Sequence, residues 1–151
     1  MGEEVRYDGA HRRQDPILKY FADRVEWVPV CPEVEVGMGV PRETIELVAT
    51  PDGLQLVGTA SARNHTQEMR VWSAQRLEEL EGISGYVLKA RSPSCGLRDA
   101  PVRNLDEPVN GMFTSSLLER FPDLPVVEDE EIADEQSLAT FEQRVRSYAW
   151  R

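Results

Sequence analysis

Tyr86-Val87-Leu88-Lys89-Ala90-Arg91-Ser92-Pro93-Ser94-Cys95-Gly96 is the stretch that decides the fold. Its first three residues form a short apolar run that reads as a buried strand. The five from Ser92 onward are small, rigid or nucleophilic. Pro93 fixes its own φ and pushes Ser92 toward extended geometry, and Gly96 permits a turn that other residues resist. The expectation is a strand feeding a rigid loop that presents two hydroxyls and one thiol. Ser92 is expected to point outward into a crevice, while Ser94 bonds the local backbone, as serines in turns commonly do.

A second stretch has the same grammar. Val25-Glu26-Trp27-Val28-Pro29-Val30 reads as a strand, followed at once by Cys31-Pro32-Glu33. The two cysteines of the chain thus each follow a predicted strand. In an open parallel sheet the carboxyl ends of the strands form the ligand crevice, so Cys31 and Cys95 are expected at one edge with their sulfurs close together.

The other elements are consistent with this plan. Residues 14–23 read as a short helix with Asp15 as N-cap and Pro16 at its first position. Residues 34–44 hold two glycines and a proline and read as a loop on the cysteine edge, where Arg42 and Glu43 either pair or line the crevice. Residues 45–58 carry a hairpin around Pro51-Asp52-Gly53. A helix over 66–82, capped by Thr66, turns Met69, Trp72, Leu77 and Leu80 inward. Residues 97–110 look irregular, 111–121 helical, and 124–127 extended. Glu128-Asp129-Glu130-Glu131 reads as a solvated linker to a terminal helix over 135–150. Strand and helix alternate, which implies α/β layers on a mostly parallel sheet, with 1–127 as the α/β domain and 128–151 as acidic linker and C-terminal helix.

The length of 151 residues fits one domain, and the net charge of −10 argues against nonspecific binding to nucleic acid or anionic membranes. No apolar run approaches the roughly 20 residues of a membrane helix, and Met1-Gly2-Glu3-Glu4 does not open a signal peptide. The cytoplasm is the expected compartment, where two cysteines serve as thiols, metal ligands or catalytic groups rather than as a structural disulfide. Residues 1–13, with Arg6, His11, Arg12 and Arg13, are the most basic part of the chain and suit a loop or a cationic lip for a small anionic or carbonyl-bearing substrate.

Spacing alone leaves the chemistry open. A zinc site wants four ligands, and no Cys-x-x-Cys pair is present. A cysteine nucleophile wants a histidine base, and only His11 and His65 exist. An iron–sulfur cluster takes three or four thiolates.

Four stretches in order, Val5-Arg6-Tyr7-Asp8-Gly9-Ala10-His11-Arg12-Arg13, Val28-Pro29-Val30-Cys31-Pro32-Glu33, Pro41-Arg42-Glu43 and Lys89-Ala90-Arg91-Ser92-Pro93-Ser94-Cys95-Gly96, resemble the bacterial family long labelled domain of unknown function 523, which includes the thiouracil desulfidases. The resemblance covers nearly the whole chain. It implies a Rossmann-like three-layer α/β fold, and a 4Fe–4S cluster held by three cysteines with one iron open to the sulfur of a thiolated base. It makes Cys31 and Cys95 cluster ligands, and Glu33 and Ser92 the residues for proton handling and substrate activation. Arg6, Tyr7, Asp8, His11, Arg42 and Ser94 fall on the substrate side. The implied function is desulfidation of a thiouracil-like nucleobase or similar small molecule. The alternative is a noncatalytic binding or regulatory module that has lost the cluster. The family pattern begins with an apolar strand and a Ser-x-Cys-Leu-x-Gly turn carrying its first cysteine. This sequence starts at about the last glycine of that turn, Gly2, so the first strand and third thiol are expected to be absent from it. Residues 124–150 resemble the linker and helix that join this family to a fused domain of unknown function 1722, a further candidate partner, fused or separate.

Overall fold

The computed structural model describes residues 15–151. Helix α1 (Asp15–Phe21) and the one-turn α2 (Pro32–Glu35) precede a hairpin of β1 (Ile45–Thr50) and β2 (Gly53–Gly58). Then come α3 (Thr66–Glu79), β3 (Tyr86–Leu88), β4 (Val102–Arg103), α4 (Met112–Arg120), β5 (Val126–Glu128) and α5 (Glu135–Ala149). The strands form two small sheets. In one, β1 pairs antiparallel with β2 and parallel with β4; in the other, β3 and β5 run parallel. The protein is mixed α/β with parallel pairs, as the alternation predicted.

The β3–β5 sheet is covered on both faces. Tyr86, Leu88 and Val126 join a core with Met69 and Leu77 of α3 and Phe113 and Leu117 of α4. Val87 and Val127 point the other way, into a second core with Ile17 and Phe21 of α1 and Leu138 and Phe141 of α5. Alternate residues of one strand therefore face opposite helical layers, which is the period-2 geometry of a buried strand. The helix α5 packs on the body through this second core. Its start is a capping box in which the Asp134 carboxylate accepts the Ser137 amide at 2.8 Å. That bond also lowers the carboxyl's pKa.

Four expectations are corrected. Residues 25–30 form no strand, with Trp27 and Val28 exposed. A β-rich composition needs a neighbour for its ladder, and Pro29 lacks the N–H that a central strand must donate. The irregular stretch 97–110 contains β4, too short to announce itself, which pairs through Leu47↔Val102 and Val48↔Arg103. Residues 128–131 do not form a solvated linker: Glu128 ends β5, and both Glu128 and Asp129 are buried. Thr66 also starts α3 without capping it, because its hydroxyl accepts the Leu56 amide at 2.9 Å.

Phe113 is fully buried and touches both Trp72 of α3 and Tyr86 of β3, with ring centroids 5.4 and 5.8 Å apart. Phe113→Ala is expected to cost about 3–5 kcal/mol, read as a lower urea midpoint. An unchanged midpoint removes Phe113 from the keystone of the first core.

Candidate active site

Cys31 occupies the N-cap position of α2, with Pro32 at the first helical position. The turn is tied back by Glu35, whose Oε1 accepts the Cys31 amide at 3.1 Å while its Oε2 lies 3.1 Å from Arg76 Nε on α3. Glu33 projects from the same turn. Its Oε2 accepts two donors of Arg42, Nε at 2.9 Å and Nη2 at 2.6 Å, and Arg42 Nη1 donates to the Gly39 carbonyl. Arg42 is nearly buried and Glu33 is 16% exposed, so this pair is shielded from solvent in a way that surface pairs are not.

The cysteine loop is held from below by α4. The Gly111 amide donates to Gly96 O, Met112 to Pro93 O, and Phe113 and Thr114 both to Ser94 O. The orphan amides at a helix start are thus satisfied by the loop that carries Ser92, Ser94 and Cys95. Gly111 lies so close that a Cβ there would collide with the backbone of Ser94 and Cys95. Within the loop the expected roles of the serines are exchanged. Ser92 Oγ accepts the amides of Ser94 and Cys95 at 3.3 and 3.1 Å, and Ser94 Oγ donates to Glu33 Oε1 at 3.0 Å. The reason is that a serine two or three residues before an N–H can close an ST turn, whereas Ser94 has a carboxylate opposite it. The two hydroxyls are 3.0 Å apart. Since the Ser94 proton goes to Glu33, the proton between the serines belongs to Ser92, and the chain of donors runs Ser92→Ser94→Glu33.

Cys95 Sγ lies 3.6 Å from Ser94 Oγ. Burial pushes the Cys95 thiol up to about 12, and the nearby Glu33 and Cys31 add to the rise. Burial raises Cys31 as well, less strongly, with the Val34 amide working against it. Tyr86 has its phenol pushed well above the ordinary range, first by burial and then by the charge of Cys95. Cys95 is buried beside Ser94 and the half-buried Cys31 is near enough to add to its rise, so the two thiols lie in the same part of the molecule as Glu33 and Tyr86. They are poor nucleophiles in this state. His65 sits elsewhere, at the start of α3, with Nδ1 3.1 Å from Glu68, so it does not supply a base at the loop. Among the described residues no group of three or more His, Cys, Asp or Glu is placed to hold a metal ion.

Glu33, Arg42, Ser92, Ser94, Cys31 and Cys95 are thus brought together. Arg6, Tyr7, Asp8 and His11 lie outside the described residues. Sequence reasoning missed the acids beneath the loop: Asp129 accepts Lys89 Nζ at 2.7 Å and the Ala90 amide at 3.1 Å, and Glu128 accepts the Leu97 amide at 2.6 Å. A run of four acids carries no signal that distinguishes an anchored segment from a solvated one. For Tyr86 the sequence signals only a strand position.

The fold and the site define an α/β protein in which a rigid loop joins Ser92, Ser94 and Cys95 to Glu33 and Arg42. The sequence model of the 2-thiouracil desulfurase family matches residues 1–129, and the chain belongs to that family. It is 33% identical over 102 residues to YbbK of Bacillus subtilis (strain 168), an uncharacterised protein, an alignment covering 63% of this chain and 67% of the relative. Among solved structures it resembles the [4Fe-4S]-dependent thiouracil desulfidase TudS, with a TM-score of 0.63 and 26% identity over 94% of this chain and 91% of the other. These likenesses indicate a thiouracil desulfidase-like function.

The residues present match an iron–sulfur cluster in kind: one buried and one half-buried thiol, with Cys31 adding to the cost of ionising Cys95, which a metal cation would relieve. They are fewer than the three or four thiolates such clusters take, since the chain holds two cysteines.

Two outcomes are expected of the metal-free chain. Because the folded Cys95 value lies above the ordinary 9.0, its stabilising effect is complete below about pH 9 and drains as the pH rises toward 12. The unfolding free energy of the wild type should therefore fall with pH above 9, and that slope should be shallower in Cys95→Ala. Equal slopes would place the Cys95 thiol in water. Gly111→Ala should displace the loop and cost about 1–3 kcal/mol, as overpacking does, with faster alkylation of Cys95 as the local readout.

Proposed function

We propose that this chain removes sulfur from a thiolated nucleobase, a thiouracil or a similar small molecule, with an iron–sulfur cluster that takes Cys31 and Cys95 among its ligands. The observation that carries the reading is the donor chain Ser92→Ser94→Glu33 running beside the two thiols. The family match and the likeness to TudS support it.

Exchange of C=S for C=O consumes one water and releases hydrogen sulfide. One C–O bond forms, the C–S bond breaks, and both protons of water end on sulfur. No electron is gained or lost. A group is therefore needed that takes a proton from water and returns it to the departing sulfur. Glu33 is that group. Arg42 occupies its Oε2 and fixes its direction, so Oε1 faces the serines and the pocket. Ser92 and Ser94 form the path along which a proton reaches or leaves it, and Ser92 stands at the outer end. Cys31 and Cys95 would hold the cluster, which when bound supplies an open iron as a Lewis acid for sulfur. Arg42 on one side of the site, with Arg6, Tyr7, Asp8 and His11 from the amino-terminal segment, would contact the base. The cytoplasm, with its reduced thiols, is the compartment this chemistry asks for. A domain of unknown function 1722, fused or separate, is the partner protein proposed.

The test is anaerobic reconstitution with iron, sulfide and a small thiol that can complete the ligand set, followed by assay with 2-thiouracil. Iron and acid-labile sulfide are expected in equal amounts, with broad visible absorption, and both are lost in Cys31→Ser and Cys95→Ser. Glu33→Gln should keep the iron and lose about 10²-fold or more in kcat, the usual worth of a positioned acid–base group. A chain that stays colourless and iron-free under these conditions overturns the reading and leaves the noncatalytic binding module in its place.

A further inference from the structure

His65 is a buried histidine that the proposed reaction does not use. Its side chain is 9% exposed, and its amide donates to Leu56 O at 2.8 Å, which pins the residue between β2 and α3. Its Nδ1 lies 3.1 Å from Glu68 Oε2, while Glu68 Oε1 accepts Arg63 Nη2 at 2.6 Å. These contacts hold the Glu68 carboxyl below its ordinary value, Arg63 first and His65 second. A carboxylate only accepts. The neutral imidazole therefore carries its proton on Nδ1 and leaves Nε2 as a lone-pair acceptor. Among the described residues Nε2 has no hydrogen-bond partner. His65 is also part of the wall of a cavity of about 300 Å³ between residues 36–45 and the start of α3. Val36, Met38 and Ile45 give that cavity an apolar side. The charged groups on its wall are two arginines and two glutamates, which cancel. Each is engaged: Arg42 with Glu33, Glu43 with the amides of Ala60 and Ser61, and Arg63 with Glu68. Nothing is left there to attract an ion. What is left is a nearly buried acceptor without a donor, which is costly until a donor meets it.

We propose that this cavity binds a small neutral ring carrying an N–H beside a carbonyl, a lactam or imide, whose N–H is accepted by His65 Nε2. Arg63 has N–H groups beyond the one given to Glu68, and these suit the carbonyl. The faces of the ring lie against Val36, Met38 and Ile45, as apolar walls with a few placed polar groups hold small ligands elsewhere. Glu68 acts through the histidine, by fixing which nitrogen accepts. The cavity is distinct from the cysteine loop, yet one residue is common to both: Arg42 borders the cavity and holds Glu33 through two bonds. Uracil, the oxygenated product of a thiouracil in the reaction proposed above, is such a ring. That link rests on the desulfidase reading, whereas the chemistry of the cavity does not.

The experiment uses the full metal-free chain at mildly alkaline pH, where an imidazole is neutral. No iron enters it, so its failure is separable from failure of the desulfidase reading. The probes are uracil and N,N′-dimethyluracil, which keeps the ring and both carbonyls and loses the N–H groups. Calorimetric titration should show uracil binding about tenfold more tightly, the upper worth of one hydrogen bond. The ring-nitrogen resonances of His65 should place its proton on Nδ1, with Nε2 shifting as uracil binds. Methyl groups also add bulk, so the deciding quantity is how that preference changes in variants. It should vanish in His65→Leu. It should shrink in Glu68→Gln, whose amide can donate as well as accept and no longer fixes the tautomer. Glu68 is well exposed, so this second variant serves if His65→Leu folds poorly. Absence of uracil binding, equal binding of the two probes, or a preference that survives in both variants overturns the proposal. So do uracil-induced shifts confined to the Ser94 and Cys95 amides, which would seat the ring at the cysteine loop instead.

Discussion

The site depends on one contact between backbones. Four consecutive amides at the start of α4, Gly111 to Thr114, donate to the carbonyls of Pro93, Ser94 and Gly96. A helix start needs acceptors for its first amides, and a loop of this kind needs donors for its carbonyls. Each supplies what the other lacks. The arrangement requires a residue without Cβ at Gly111, and it explains why the helix takes no side-chain cap of its own. It also fixes Ser94 with its hydroxyl toward Glu33. The helix start is therefore part of the pocket wall as well as part of the core.

Charge is distributed around this contact in an unusual way for an acidic chain. The net charge of −10 would be carried on the surface if it served solubility alone. Instead Glu33, Glu128 and Asp129 are turned inward, and each has specific donors: an arginine for Glu33, a loop amide for Glu128, a lysine and an amide for Asp129. Buried carboxylates persist only when donors replace water. Apart from Arg42, the donors are Lys89, Ala90, Ser94 and Leu97, so satisfying the acids and shaping the cysteine loop are largely the same event.

Much of this was legible in the residues. The alternation of strands and helices, the hairpin at Pro51-Asp52-Gly53, and the four longer helices carried periodic or turn signals that burial then enforced. The cysteine loop was legible from Pro93 and Gly96. What failed had a physical reason in each case. Residues 25–30 have strand composition, but a ladder is a property of two segments, and Pro29 removes a donor. The hydroxyl directions at Ser92 and Ser94 depend on a carboxylate 61 residues away. The acidic run looked solvated because composition does not report that a parallel strand ends in it. The short β4 exists only because β1 lies beside it.

The two thiols give the last constraint. Raising Cys95 from 9.0 to about 12 means that ionising it in the folded chain costs roughly 4 kcal/mol more than ionising an ordinary thiol. A pocket built for a free thiolate nucleophile would lower that cost, with a cation, a helix start of useful length or a histidine beside the sulfur. This pocket does the opposite: it surrounds the sulfurs with Tyr86, apolar side chains and the negative Glu33. On the cluster reading proposed above, a multiply charged cation bound by the thiolates would recover that cost, and the same field that opposes free thiolates would favour their binding to it. A group held by the thiolates of the folded chain would add to its stability by mass action, to the extent that it prefers the folded over the unfolded cysteines. On that reading the metal-free protein would be the less stable form, with the hydrogen-bonded loop keeping Cys95 in place until that charge arrives.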